Sequence, residues 1–157
     1  MRLIIYRIKT NLVLLFVLFA ASAPFHAYAG PIEEGDRFFM AGDVSTAIRI
    51  WTPPATQGSA EAQYRLSQVY LSGKGVARDV ELGLKWLSLS AERHYPPALL
   101  DLADRKLDPR NVMYQPDEAM ALLRDAAGQG IILAQRQLGR LYREGKAVSQ
   151  DFEQSLH

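Results

Sequence analysis

The chain has 157 residues, with 18 lysines and arginines against 17 aspartates and glutamates, and 48% of its residues are hydrophobic. Three of the basic residues lie in the first 29 positions, so residues 30–157 carry 15 basic and 17 acidic residues. This weakly acidic balance argues against a nucleic-acid partner, and the lack of cysteine rules out a disulfide framework.

Residues 1–29 are typical of a secretory signal peptide. Basic residues in the first nine positions precede an apolar run over Leu12–Ala21, and Ala27–Ala29 forms a small-residue exit. A retained signal anchor is the alternative, but the apolar run is shorter than the roughly 20 residues of a spanning helix. We therefore expect a periplasmic or secreted bacterial protein, with no stable membrane span after cleavage.

From residue 30 onward the sequence repeats itself. Residues of one kind return every 36 positions in a first helix, at Ala62, Ala98 and Ala134, at Leu66, Leu102 and Leu138, and at Ser67, Ala103 and Gly139. The period continues in a second helix, at Ala47, Gly83 and Ala119, at Ile48, Leu84 and Met120, at Trp51, Leu87 and Leu123, and at Ala55, Ala91 and Ala127. The pattern predicts helical hairpins at about residues 30–58, 59–94, 95–130 and 131–157, the last of them incomplete.

The first hairpin departs from this period. Its predicted helices lie closer together in sequence than those of the next hairpin, which favours a tight turn at Ala41–Asp43. We expect its second helix to end or kink near Thr52, because Pro53 and Pro54 follow.

Turn residues mark the ends of the second helices. Capping residues are predicted at their starts, namely Asp43, Asp79, Gln115 with Pro116, and Asp151. Gly58 and Gly130 follow the last turns of two of them, and His94 holds the same place in another.

The loops between first and second helices repeat as well. Val76, Val112 and Val148 are again 36 residues apart, and we expect each to insert its loop into the core. The third loop should be less regular, because Lys106, Pro109 and Asn111 replace the tyrosine and glycines of the second unit.

The second unit resembles the Sel-one-like repeat (SLR) family, which is related to the tetratricopeptide repeats. The matching residues are Ala62–Leu66, Tyr70, Gly73–Val76, Asp79, Lys85–Leu87 and Ala91. The resemblance implies an all-α fold, a right-handed α-solenoid of antiparallel helix hairpins, which hosts protein–protein contacts and is frequent in bacterial envelopes. Stacked hairpins of this kind contact only their neighbours and leave a concave surface.

Residues that could carry chemistry are sparse. Outside the signal only His94 and His157 are histidines, so the usual thiol or zinc sites cannot be assembled. We expect no catalytic, cofactor or metal site. The aromatic residues at repeat positions, Trp51, Trp86, Tyr70 and Tyr142, are interpreted as core packing rather than a ligand cage.

The repeat register predicts a partner-binding groove on the first helices, lined by Tyr64, Gln68, Leu71, Leu100, Asp104, Leu107, Arg136, Arg140 and Arg143. Its middle is largely apolar, whereas its end carries three arginines at i, i+4 and i+7, a spacing suited to the carboxylates of a peptide. The alternative is that Arg140 pairs locally with Glu144 and that the leucines pack internally.

These features predict a non-catalytic protein–protein interaction or scaffold module of the bacterial cell envelope, whose partner is another protein or peptide. Two alternatives stay open: a secreted cell-wall or β-lactam-active hydrolase, and a structural subunit of an envelope assembly. Because the incomplete last unit would leave an apolar face open, we expect the chain either to be a truncated product of a longer repeat array or to self-associate through its C-terminal end.

Overall fold

The computed structural model describes residues 30–145, which form seven α-helices and no strand. The helices are α1 (Pro31–Met40), α2 (Val44–Thr56), α3 (Ala60–Ser72), α4 (Val80–Glu92), α5 (Pro96–Leu107), α6 (Pro116–Gly128) and α7 (Ile132–Arg143). The predicted signal peptide at 1–29, Val148 and the cap at Asp151 lie outside the described residues.

The helices pair into hairpins that stack in chain order. Packing is closest within α1/α2, α3/α4 and α5/α6, and each hairpin packs mainly against the next one, with α7 packed on α6. The prediction of an all-α solenoid of helical hairpins is therefore confirmed.

The core follows the repeat register and divides into two clusters. The first joins α2 to α3 through Val44, Ala47, Trp51, Ala55, Ala62, Leu66 and Val69. The second runs from Tyr64 on α3 to Leu141 on α7 and includes the fully buried Leu87, Leu99 and Leu123. Ala62, Ala98 and Ala134 have no exposed surface, as their recurrence in sequence predicts.

Small residues allow two helices of a hairpin to approach closely. A Cβ atom at Gly35 would lie 2.2 Å from Nε1 of Trp51, and one at Gly83 would lie 2.7 Å from Cγ of Leu71. Because real Cβ contacts are never this short, a larger side chain at either place would push the helices apart.

The predicted aspartate caps are present at the described helix starts, whereas the Gln115 side chain makes no capping hydrogen bond and α6 begins with Pro116. The side chain of Asp43 accepts a hydrogen bond from the Thr46 N–H, and that of Asp79 accepts one from Leu82. The bonds from Thr46 lower the pKa of the Asp43 carboxyl. At the other ends Gly58, His94 and Gly130 all have positive φ, at 96°, 57° and 83°, which confirms that His94 occupies a turn otherwise given to glycine.

Of the two alternatives predicted for α2 near Thr52, an end is wrong, because the helix continues through Pro53 and Pro54 to Thr56. Trp51 and Ala55, on one face of this stretch, are almost completely buried. Burying a large apolar side chain contributes roughly 1.5–3 kcal/mol, which offsets part of the cost of about 3 kcal/mol for each proline in a helix interior. The packing of Trp51 and Ala55 thus helps to keep α2 helical across the two prolines.

The insertion of Val112 into the core is also wrong, since its side chain is fully exposed. The Asn111 side chain accepts a hydrogen bond from the Met113 N–H, and the Tyr114 N–H donates to the Asn111 carbonyl. This turn places Met113, one residue later, against the second core cluster. The irregularity predicted for the third loop is thus confirmed, but it moves the inserted residue.

Of the four aromatic residues interpreted as core, three pack as expected. Trp51 is buried, and Tyr70 and Trp86 lie half-buried against the first cluster. The prediction that Tyr142 packs in the core is wrong. Its side chain is exposed, and its hydroxyl accepts a hydrogen bond from Arg124 at 3.1 Å. Tyr142 thus lies on a solvent-exposed side of α7 beside Arg124 of α6, whereas its neighbour Leu141 is in the second core cluster.

Candidate functional site

Polar contacts join the first helix of each hairpin to the first helix of the next. Between α1 and α3, Arg65 donates two hydrogen bonds to the Asp36 carboxylate at 2.8 and 2.9 Å. Between α5 and α7, the Gln137 amide donates to Asp104 at 3.0 Å. We call these contacts, with the one between α3 and α5 described next, the inter-hairpin ladder.

The middle contact of the ladder passes through a tyrosine. The Tyr64 hydroxyl donates to Asp101 at 2.9 Å and accepts from the Gln68 amide at 2.9 Å. The Tyr64 and Tyr95 rings also lie 5.5 Å apart. Burial, followed by the neighbouring Asp101, raises the pKa of Tyr64 to about 12, so this hydroxyl stays protonated and remains a donor at neutral pH.

The contacts of the ladder shift the pKa values of two of its ionisable side chains. The hydrogen bonds to Asp36 raise the pKa of Arg65. Partial burial of its carboxyl group raises the pKa of Asp104, although the bond from Gln137 and the charge of Arg140 oppose that shift. The ladder is thus a set of matched contacts between hairpins rather than a row of free charges.

The nine predicted groove residues separate into two groups. Tyr64 is 8% exposed, and Leu71, Leu100 and Leu107 are half-buried against the second core cluster. Each leucine therefore packs partly against the core, as in the alternative left open by the sequence, and keeps part of its surface exposed. The exposed residues are Gln68, Asp104, Arg136, Arg140 and Arg143, so the surface open to a partner is polar and richest in charge on α7.

The three arginines of α7 share one open groove of about 600 Å³, which we call the arginine end. It is lined by Leu133, Arg136, Gln137, Gly139, Arg140 and Arg143. The local pairing expected for Arg140 is long, with Nε 4.0 Å from a carboxylate oxygen of Glu144. Exposed guanidinium groups at this spacing present several donors to a carboxylate or a peptide.

A second cavity, of about 260 Å³, lies between α1 and α3. Its lining residues are Asp36, Phe39, Met40, Trp51, Arg65, Gln68 and Val69. Sequence reasoning named only Gln68 among them as a groove residue. The signal that could have revealed the rest was the amphipathic pattern of α1, which buries Gly35 and half-buries Phe39 while it leaves Met40 exposed.

Within residues 30–145, no group of three or more histidines, aspartates or glutamates is placed to hold a metal ion. Over the same range, no helix is long and apolar enough to cross a membrane. The ring Nδ1 of His94 lies 2.6 Å from an Asp125 carboxylate oxygen, and the Gln129 amide donates to the His94 carbonyl at 2.9 Å. These contacts tie the turn after α4 to α6.

Comparison with known proteins finds helical repeats of one kind. A model of the Sel1 repeat matches residues 60–95 and 132–157. The chain is 29% identical over 121 residues to an uncharacterized protein of Neisseria meningitidis serogroup B, covering 77% of this chain and 25% of that protein. It is 29% identical over 109 residues to chitin synthase regulatory factor 3 of Schizosaccharomyces pombe, covering 66% of this chain and 12% of that protein.

Two solved structures share the fold. One is a Sel1 repeat protein from Oxalobacter formigenes, with a TM-score of 0.68, 23% identity, and coverage of 77% of this chain and 50% of that one. The other is c5321, a protective antigen of uropathogenic Escherichia coli with an SLR fold, with a TM-score of 0.65, 25% identity, and coverage of 73% of this chain and 26% of that one. This chain spans a quarter or less of the two curated relatives.

Proposed function

Because this chain belongs to the Sel1 repeat family, whose fold supports protein–protein interaction, we propose that it is an exported scaffold of a bacterial cell envelope. It binds another envelope protein through the arginine end and does not itself catalyse a reaction. The observation that carries the proposal is the open groove on α7 in which Arg136, Arg140 and Arg143 are all exposed.

The scaffold role follows from how the hairpins are held together. The inter-hairpin ladder and the two core clusters bind the first helices to their neighbours through polar and apolar side chains. On α7 three arginines stay exposed around one open groove. Such a surface is suited to recognition of acidic groups on a partner.

Two observations support an exported location and a binding role. Residues 1–29 have the basic, apolar and small-residue order of a secretory signal. Among the relatives, one is a protective antigen of uropathogenic E. coli and another is a regulatory factor of chitin synthase. The second name denotes an action on another protein, in agreement with a scaffold.

The partner is tested by cross-linking in the envelope of the native host, followed by affinity capture of the tagged chain. Arg136→Ala with Arg140→Ala should reduce the recovered partner by about tenfold or more, because the carboxylates of the partner lose their donors. Arg110→Ala is the matched control, since that side chain is 90% exposed and pairs with the nearby Asp108. Unchanged capture by the double variant would reject the arginine end as the binding surface.

The export and the lack of catalysis are tested separately. Fractionation of cells that express the full chain should recover it outside the cytoplasm. A variant that lacks residues 2–29 should stay in the cytoplasm. The purified protein should turn over neither nitrocefin nor peptidoglycan. Hydrolysis of either substrate would instead favour the secreted hydrolase.

A further inference from the structure

We propose that the arginine end binds the outward face of α1 in a second copy of the chain, so that copies stack head to tail. The inference builds on the scaffold role proposed above and names one occupant of its arginine end. It is carried by the register of the inter-hairpin ladder, which continues beyond the last described contact.

The ladder connects equivalent positions in successive hairpins. Asp36 contacts Arg65, 29 residues later, and Asp104 contacts Gln137, 33 residues later. Asp36 lies eight residues before the first residue of α2, and Asp104 lies twelve residues before the first residue of α6, so the difference of four residues arises in the connection between the two helices of the hairpin. Asp36, Gln68, Asp104 and Arg140 are therefore one position of the repeat.

By the same register, Arg136 takes the place of Tyr64 on α7. In the middle contact, Tyr64 and Gln68 converge on Asp101 of the next hairpin, the first by donating directly and the second by donating to the tyrosine oxygen. On α7 the two converging groups are guanidiniums, and both are exposed. A first helix stacked on α7 would thus place its residue equivalent to Asp101 opposite two positively charged donors.

The group that suits two guanidiniums at this position is a carboxylate. The residue that contacts the preceding hairpin is Arg65 in α3, Asp101 in α5 and Gln137 in α7. In α1 the same position is Glu33, which lies in the first turn, is exposed and is followed by a second exposed carboxylate at Glu34. The chain itself therefore carries the acidic counterpart on its own first helix.

An ion pair at this place has a precedent within the molecule. The bidentate contact between Arg65 and Asp36 joins α3 to α1 with the opposite polarity, at 2.8 and 2.9 Å. Its two side chains are 29% and 26% exposed, so stacked first helices partly shield it from solvent. The proposed contact places arginines on the preceding helix and a carboxylate on the following one.

Because the two faces differ, the contact is heterologous, and repetition of it builds an open row rather than a closed dimer. We therefore expect the purified full chain, expressed with its own N-terminal segment so that processing is left to the cell, to form dimers, trimers and longer species at tens of micromolar. Raising the salt concentration should weaken this association.

Two neutral variants test the polarity of the contact by sedimentation velocity. The first, Arg136→Gln with Arg140→Gln, alters only the arginine end; the second, Glu33→Gln with Glu34→Gln, alters only the face of α1. Each variant alone should remain monomeric, and an equimolar mixture should form a complex of two copies and nothing longer. Arg110→Gln with Glu81→Gln, which removes an arginine and a glutamate from other exposed places, should associate like the unmodified chain.

Three results would overturn the inference. The first is an unmodified chain that is monomeric, and the second is a mixture of the two variants that stays monomeric. The third is self-association of the α1 variant alone, which would indicate contact between two arginine ends. Circular dichroism of each variant establishes that it is folded. If the unmodified chain is monomeric but the arginine substitutions still abolish capture of another envelope protein, stacking is wrong and the scaffold function stands.

Discussion

Single residues decide how closely the helices of this solenoid can approach. Gly35 is the clearest case, because its α-carbon faces the indole of Trp51 with no room for a methyl group. The indole N–H donates to the Ile32 carbonyl at 3.3 Å, so the ring is held from two sides and cannot withdraw freely. Gly35 lies inside a helix, so its backbone does not require glycine. Glycine is required because the neighbouring indole leaves no space for a larger residue.

Gly35→Ala should therefore lower the free energy of unfolding by about 1–3 kcal/mol, because the added methyl group must displace Trp51 or separate α1 from α2. Urea unfolding followed by tryptophan fluorescence measures the change. Gly128→Ala is the matched control, since no described atom lies within 4 Å of its Cβ position, and it should be neutral or stabilising by up to about 1 kcal/mol. Equal effects of the two substitutions would contradict the role of the Trp51 contact.

At the scale of a helix, tertiary packing determines where an element ends. In α2, Pro53 and Pro54 lie on the less buried side, while Trp51 and Ala55 face the core. The Thr52 hydroxyl donates to the Ile48 carbonyl at 2.7 Å. The helix thus crosses two residues that end most helices, and it does so at a cost in hydrogen bonds.

Replacing both prolines by alanine should recover part of that cost and stabilise the protein by about 1 kcal/mol or more. Thermal unfolding checks the direction. Pro96→Ala provides the contrast, because Pro96 begins α5, where a proline fits and its stiffness lowers the entropy of the unfolded chain. This control should be neutral or slightly destabilising, and stabilisation by the same amount would contradict our account of α2.

At the scale of the whole molecule, stability is distributed among neighbouring hairpins. The first core cluster joins α2 to α3, and the second extends from α3 to α7. In repeat proteins the stability is a sum of contributions from the units and from their interfaces. A substitution in one cluster therefore destabilises mainly the hairpins that share that cluster.

Leu123→Ala tests this distribution, because Leu123 is completely buried in the second cluster. The change should cost about 2–5 kcal/mol and should speed amide hydrogen exchange in α5, α6 and α7 more than in α1 and α2. Val112→Ala, at a fully exposed position, should leave the free energy of unfolding within about 0.5 kcal/mol of the parent. The exchange rates should also stay as in the parent. A uniform increase in exchange across all helices would show that the solenoid unfolds as one unit.

The pattern of residues along the chain is enough to predict the class of fold and the register of its repeats. Alanines and leucines that return every 36 residues lie at equivalent places because each stacked hairpin presents the same seam to its neighbour. The caps at Asp43 and Asp79 and the turn at His94 were predictable as well, since they depend on hydrogen bonds and dihedral angles within a few residues.

The candidate site, in contrast, depends on how the hairpins pack against one another. Local sequence does not show that Met113 rather than Val112 packs against the core, or that Leu71, Leu100 and Leu107 are half-buried against it. Nor does it show that α2 stays helical across two prolines. Each of these outcomes depends on which surface of a neighbouring hairpin is available. The inter-hairpin ladder is of the same kind, because residues about 30 positions apart become partners only when the first helices stack.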